Sequence, residues 1–204
     1  IGAWLLVFGW FGFNIGSSTA ADPQTINVEL AWVSVTTAMA MAGGLFGAAA
    51  TSRGHVLTSM IGLLSGAVAI CSGAAVMSPV FAFITGSVAG VLTTFTVGLF
   101  ENVLKVDDAL ACFPVHGICG IWGVLATGLF GATVLGGHPV YGLELADWLP
   151  QLGVQALGAL VIAAFTALCG LILFYVLKKV NLLRVGRDAE LFGLDIALHK
   201  TYAY

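Results

Sequence analysis

Residues 54–100, "GHVLTSMIGLLSGAVAICSGAAVMSPVFAFITGSVAGVLTTFTVGLF", run for 47 positions without a charged side chain. A helix that crosses a bilayer needs about 20 consecutive apolar residues, so a run of this length predicts two crossings. The break between them falls at Ser78-Pro79, because the residue before a proline is disfavoured in the helical conformation. The run is also far longer than the ~10-residue alternating segments of a membrane β-barrel. This stretch therefore predicts two membrane-spanning helices.

The whole composition agrees with a membrane protein. Of the 204 residues, 59% are hydrophobic and 8% are charged, whereas soluble domains are about 25% charged. The mean hydropathy is +1.04. This composition excludes a soluble enzyme and a disordered chain, and 7 Lys and Arg against 10 Asp and Glu exclude a nucleic-acid binder. No His, Cys or carboxylate pair shows a metal-ligand spacing at one depth, so we predict neither a metal site nor a cofactor.

Applied to the other uncharged runs, the same reasoning predicts an all-α membrane protein with six transmembrane helices. Their predicted bounds are about 1–20, 28–51, 57–77, 80–100, 111–132 and 149–177. Residues 178–204 are polar enough to form a tail outside the bilayer. The first run is apolar from Ile1 onward without a positively charged lead-in, so it does not read as a signal peptide. We therefore expect the chain to be the later part of a longer membrane protein.

The positive charges orient the six spans. All seven Lys and Arg fall on one side, at Arg53, at Lys105 and in the tail. The opposite loops, near 21–27, 78–79 and 133–148, contain none. By the positive-inside rule the charged side is cytoplasmic. We thus predict a multi-pass protein of the cell inner or plasma membrane with a cytoplasmic C-terminus.

His116 is an ionisable side chain inside the predicted fifth span, eight residues past Asp108. Ionisable residues at that depth are rare and face the bundle interior or a wet cavity. Two interpretations stay open: a pore or proton-relay histidine, or a neutral imidazole that hydrogen-bonds a backbone carbonyl. Cys112 and Gly120, four residues to either side on the same helical face, favour the first.

A second candidate site lies in the first span, where four side chains form one stripe. Leu6, Trp10, Phe13 and Ser17 are spaced by four, three and four residues, so they share one helix face. Such a stripe is typical of helix packing. An aromatic face beside a hydroxyl also suits a small cation that is losing its water, so binding stays open as the alternative.

Several small residues are predicted to serve packing. Ser65 and the pair Gly86 and Gly90 are expected to let neighbouring helices approach closely. All the cysteines fall in predicted spans, and we interpret them as small buried hydrophobic residues: Cys71, Cys112, Cys119 and Cys169.

Three motifs together resemble the ammonium transporter (Amt/Mep/Rh) family, on its Amt side. They are "GWFGFNIGSS" at 9–18, "KVDDALACFPVHGICGIWG" at 105–123 and "GLDIALHKTYAY" at 193–204. The resemblance covers the chain in order and implies the second half of an eleven-helix protomer, from the sixth helix to the cytoplasmic tail. Spans one to five would form the second inverted repeat, and span six the final long helix. The partner pore residues of the first repeat would then lie outside this chain.

The resemblance also implies roles for individual residues. His116 would be the second of two paired pore histidines, and Phe13 one of two stacked gate phenylalanines. Trp10 would be a pore-lining aromatic, and Ser17 the outer-vestibule serine where ammonium is recruited. Three further positions match the pore wall: Leu6, Ser65 and Cys112.

The implied activity is transport of ammonium, which is deprotonated and passes along a hydrophobic pore as ammonia, with or without a relayed proton. The implied partners are ammonium or ammonia, membrane lipid, two further copies in a homotrimer and a PII-type signalling protein at the cytoplasmic face. Two alternatives remain: an ammonium sensor on the same fold without significant transport, and a structural membrane subunit. Neither the implied transport activity nor either alternative is that of an enzyme.

Overall fold

The architecture is a bundle of helices, seen in a computed structural model that describes residues 1–18, 26–137, 142, 144 and 147–200. All the regular elements of that part of the chain are helical. The α-helices are α1 Gly2–Ser18, α2 Ile26–Thr51, α3 Val56–Ile70, α4 Pro79–Gly98, α5 Cys119–Phe130, α6 Trp148–Lys179 and α7 Arg187–Phe192. Of the three π-helical segments in the described residues, Leu99–Leu104 continues α4, Phe113–Ile118 leads into α5, and Asp195–His199 lies in the tail.

Four of these helical stretches are long and apolar enough to cross a membrane, which agrees with the predicted all-α membrane fold. They are Glu29–Thr51, Pro79–Leu104, Phe113–Phe130 and Trp148–Lys179. The bounds at which each helix enters and leaves a bilayer stay predictions. Most of the loop predicted near 21–27, part of the loop at 133–148 and the last four residues of the tail lie outside the described residues.

Helices α2, α3 and α4 pack backbone to backbone, as the small residues predicted. A Cβ atom on Gly86 would collide with the carbonyl oxygen of Ala40, and one on Gly90 with that of Gly44. Gly66 of α3 faces the same Ala40 carbonyl equally closely. Membrane helices associate mainly through such close packing, because lipid removes the hydrophobic driving force between them. The prediction for Gly86 and Gly90 is confirmed.

Helix α3 ends at Ile70, seven residues before the predicted limit of its span, and residues 71–77 form turns. Backbone carbonyls in these turns accept hydrogen bonds from α2: Thr36 Oγ1 donates to Ala74 O at 2.7 Å, and Trp32 Nε1 to Met77 O at 2.9 Å. Irregular backbone at membrane depth is tolerated where protein groups satisfy it. The hydropathy of residues 71–77 cannot predict these hydrogen bonds, because the donors come from another helix.

By its internal contacts the chain divides into two units, Ile1–Ala159 and Leu160–Tyr204. The first holds α1 to α5 and the start of α6, whose Trp148 Nε1 donates to Leu129 O at 3.1 Å. The second holds the rest of α6 and the tail, in which Arg184 and Glu190 form an exposed ion pair at 2.8 Å. No residue of α6 is buried within the described part of the chain. The predicted boundary of the tail, at 177/178, stays a prediction.

Candidate functional site

A cavity of about 580 Å³ lies in the first unit. Its walls come from α1, the end of α3 with the turn that follows, the segment Phe113–Ile118, and α5. No Asp, Glu, Lys or Arg is among the described residues that line it: Leu5, Leu6, Gly9, Trp10, Phe13, Val68, Cys71, Ser72, His116, Gly120 and Val124. The cavity is therefore an apolar space with a few neutral polar groups.

The cavity brings together two predictions made from distant parts of the sequence. Leu6, Trp10 and Phe13 reach it from α1, and His116 reaches it from the segment before α5. The Trp10 and His116 rings stack with their centroids 6.4 Å apart and their planes at 20°. Phe13 also lies next to Trp10, with the ring centroids 6.1 Å apart and the planes tilted by 53°. The result is a short aromatic row that ends at the imidazole.

His116 is held by an unusual turn. It sits in the π-helical segment Phe113–Ile118, a kind of turn that is rare and frequent at functional sites. The Asp108 carboxylate starts this turn, since its two oxygens accept the backbone N–H groups of Cys112 at 2.8 Å and Phe113 at 2.9 Å. Pro114 in the first turn needs no such acceptor. These contacts fix the backbone that presents the imidazole to the cavity.

The Trp10 ring is held by packing and by one hydrogen bond. The ring is half-buried and packs against Met41, Leu63 and Ala67. Its Nε1–H donates a hydrogen bond to the Sγ of Cys71 at 3.2 Å. A buried indole usually satisfies its N–H in this way. The indole is therefore held by packing against the bundle and by a sulfur at its edge.

Three of the predicted site residues lie outside the cavity lining. Ser17 is exposed at the end of α1, and its hydroxyl donates to the Phe13 carbonyl at 2.7 Å. Ser65 is fully buried and accepts a hydrogen bond from Thr93 Oγ1 at 2.6 Å, consistent with a role in helix contact. Cys112 is exposed just before the π-helical segment. The cavity therefore does not unite these three with His116.

The interpretation of the cysteines as buried hydrophobic residues was partly wrong. Cys119 is buried, but Cys112 and Cys169 are exposed, and Cys71 lines the cavity. Cys169 lies on α6, none of whose residues is buried by the part of the chain that the structure describes. Hydropathy identifies an apolar helix but does not tell which of its faces meets protein.

Sequence reasoning also missed polar groups next to the site. Ser72 lines the cavity and contacts the Gly123 carbonyl at 3.0 Å and Thr127 Oγ1 at 2.6 Å. Asn14 is 4% exposed and donates from Nδ2 to Thr37 Oγ1 at 3.0 Å. Its Oδ1 has no partner within the described residues. An amide inside an apolar run was the available signal for Asn14.

Among the residues that the structure describes, no three His, Cys, Asp or Glu side chains are grouped to hold a metal ion. The polar groups of the cavity are an imidazole, an indole edge, a thiol and a hydroxyl. Such groups exchange hydrogen bonds with a small neutral molecule.

Comparison with known proteins places this geometry in context. The model of the Ammonium Transporter Family matches residues 1–204. Ammonium transporter Amt1 of Methanocaldococcus jannaschii is 40% identical over the whole chain and 49% of its own length. A solved structure titled Sensor Amt Protein aligns with a TM-score of 0.82 and 33% identity over 97% of this chain and 47% of that one. Mep2 of Saccharomyces cerevisiae aligns with a TM-score of 0.76 and 26% identity, covering 91% and 44%. The chain thus spans about half the length of the relatives it matches.

Proposed function

Because the chain belongs to the Ammonium Transporter Family, we propose that it forms one wall of a pore that recruits ammonium and passes it across the membrane as ammonia. The observation that carries this proposal is the row of Phe13, Trp10 and His116 along a cavity to which the described residues contribute no Asp, Glu, Lys or Arg. The chain is an integral, multi-pass membrane protein. The family is a family of transporters. The molecule that this chain helps to transport and the path that it takes are our proposal.

Recruitment would take place at the Ser17 end of the row. The Ser17 hydroxyl donates a hydrogen bond to the Phe13 carbonyl, which leaves the lone pairs of the hydroxyl oxygen free to accept from an ammonium N–H. Phe13 offers its ring face to the same cation, and each cation–π contact contributes about 0.5–2 kcal/mol. Acceptors and ring faces together replace part of the water that the cation loses.

Passage would require the loss of the proton. An unpaired cation in a medium of low dielectric constant costs tens of kcal/mol by Born arguments, and groups in that situation change protonation state instead. Beyond Phe13 the lining offers neutral groups, and His116 can hydrogen-bond ammonia and relay a proton. Potassium has no proton to lose, so this route selects ammonium without a size filter.

The assembly is also part of the proposal. We propose that the chain is the second inverted repeat and final long helix of an eleven-helix protomer, with its C-terminus cytoplasmic. Three protomers would form a trimer in lipid, each with its own pore, and a PII-type signalling protein would bind the cytoplasmic face. Support comes from the matched share of the relatives, about half of their length, and from the one-sided Lys and Arg.

The test is ammonium uptake by liposomes that contain the protein made from the complete open reading frame that encodes these residues. His116→Ala should lower the flux on the order of a hundredfold, the scale of losing a positioned proton-transfer group. His55→Asn is the matched control, because His55 lies outside the cavity and caps α3 by accepting from the Thr58 N–H at 3.4 Å. Equal flux in the wild type and His116→Ala would contradict the proposal and favour a structural subunit.

A second candidate function is ammonium sensing without significant transport. The observation that favours it is the likeness to the structure titled Sensor Amt Protein, at a TM-score of 0.82. The same liposomes separate the two functions. A wild-type protein that binds ammonium in calorimetry but gives no flux above protein-free liposomes would support sensing and overturn transport.

A further inference from the structure

The Cys71 sulfur has a defined role in the hydrogen bonding around Trp10. Its S–H donates to the Ala67 carbonyl at 3.2 Å, and its lone pairs accept the indole N–H of Trp10 at 3.2 Å. The backbone of Cys71 is itself fixed at the end of α3, where its N–H donates to Val68 O at 3.1 Å. The sulfur is therefore an acceptor held at a fixed place on the cavity wall.

From this geometry we propose that Cys71 is a positioning residue for transport, which keeps the Trp10 indole stacked on the His116 imidazole. The proposal rests on the proposed transport function and deepens it, since it names a residue that acts on the pore through another side chain. Cys71 itself need not touch the transported molecule.

The open side of the cavity gives the physical reason. Trp10 packs against the cluster of Met41, Leu63 and Ala67, but it also lines the empty volume of about 580 Å³. Packing that does not enclose the ring leaves it free to turn toward the space. A hydrogen bond at the edge of the ring removes that freedom, because the N–H must keep pointing at the sulfur.

The orientation of the indole decides what it offers to His116. At 20° between planes and 6.4 Å between centroids, the π face of Trp10 lies along the imidazole. A face of this kind attracts an imidazolium more than a neutral ring. An indole that turns its edge toward His116 presents the positive rim of its quadrupole instead, which disfavours the protonated ring. Proton relay at His116 therefore depends on the acceptor at position 71.

The experiment compares Cys71→Ala with Cys71→Ser in the full-length protein in liposomes. Alanine and serine have similar volumes, but only serine keeps an acceptor for the indole N–H. We expect Cys71→Ala to lower ammonium flux about tenfold, the effect of leaving a buried donor unpaired, and Cys71→Ser to stay within about threefold of wild type. Cys169→Ala is the matched control, since Cys169 is an exposed cysteine of α6 outside the cavity.

A double-mutant cycle separates positioning from a general loss of structure. Trp10→Phe keeps an aromatic ring but has no N–H, so adding Cys71→Ala to it should change the flux no further. Additive losses would overturn the proposal, because Cys71 would then act independently of the indole. Equal flux for wild type and Cys71→Ala would overturn it too.

A spectroscopic readout stands apart from transport. In protein labelled with 5-fluorotryptophan, the ¹⁹F resonance of Trp10 is identified by its absence in Trp10→Phe. It should shift in Cys71→Ala and keep its position in Cys169→Ala. An unshifted resonance would overturn the proposal even if Cys71→Ala folded poorly. Wild-type liposomes without ammonium flux would instead overturn the proposed function, and with it the role of Cys71 in transport.

Discussion

Gly123→Ala is expected to push α5 away from α3 and so disturb the wall that carries the proposed pore. Gly123 lies on α5 between the cavity residues Gly120 and Val124. A Cβ atom built on it collides with the carbonyl oxygen of Ala69 on α3 and lies 2.8 Å from the carbon atoms of the same backbone unit. Neither partner can turn aside, because both belong to helix backbones.

The structure sets the size of the effect. Ordinary contact of a Cβ atom begins at 3.4 Å, so the 2.8 Å approach to the two carbon atoms alone requires a local separation of about 0.6 Å, and the closer carbonyl oxygen requires more. Overpacking of this kind costs about 1–3 kcal/mol. A displacement near 1 Å in a functional site can reduce its rate on the order of a hundredfold. We therefore expect a flux loss of about tenfold alongside the loss of stability.

Gly153→Ala on α6 is the matched control. No atom of the described residues lies within 4 Å of a Cβ atom at Gly153, so this variant gains the same helix propensity without a collision. Thermal unfolding of the detergent-solubilised variants should place Gly123→Ala about 1–3 kcal/mol below Gly153→Ala. Equal stability and equal ammonium flux in the two variants would refute the reasoning from close helix contact.

His116→Asp should let potassium pass, since a fixed carboxylate stabilises a cation that neutral imidazole does not; unchanged potassium exclusion and ammonium flux would count against this. Phe13→Ala should change conduction far more than stability, because its side chain is 60% exposed in this chain; a variant that only expresses poorly would favour the packing interpretation. Asn14→Ala should cost about 1–3 kcal/mol in thermal unfolding by stranding the buried Thr37 hydroxyl, and adding Thr37→Val should recover part of that loss. Deleting residues 193–204 should reduce transport or its regulation while the trimer persists in size-exclusion chromatography; full activity with normal regulation would leave the tail without that role.

The start of α4 was predictable because a proline interrupts the long apolar run. Pro79 begins α4 within one residue of the predicted bound, and the Ser78 hydroxyl caps it by accepting the Phe81 N–H at 3.4 Å. Both signals are local, since the ring of proline and the hydroxyl of serine act on the adjacent turn.

Side-chain contacts inside the bundle were predictable only where residue spacing places the side chains on one face of a single helix. The stripe of α1 placed Leu6, Trp10 and Phe13 together, and the cavity does hold all three. The contact between Trp10 and Cys71 joins residues 61 positions apart, and no spacing rule spans that distance. Ser65 shows the same limit, because its partner Thr93 is 28 positions away on another helix.

The turn after Ile70 makes one part of the cavity wall depend on helices that lie before and after it in the chain. Its carbonyls at Ala74 and Met77 accept from donors on α2, which precedes the turn. In lipid each carbonyl without a donor costs several kcal/mol, so this turn is stable at membrane depth only beside α2. Ser72 donates to the Gly123 carbonyl of α5, which follows the turn. A substitution in α2 or in α5 can therefore disturb the cavity without touching a residue that lines it.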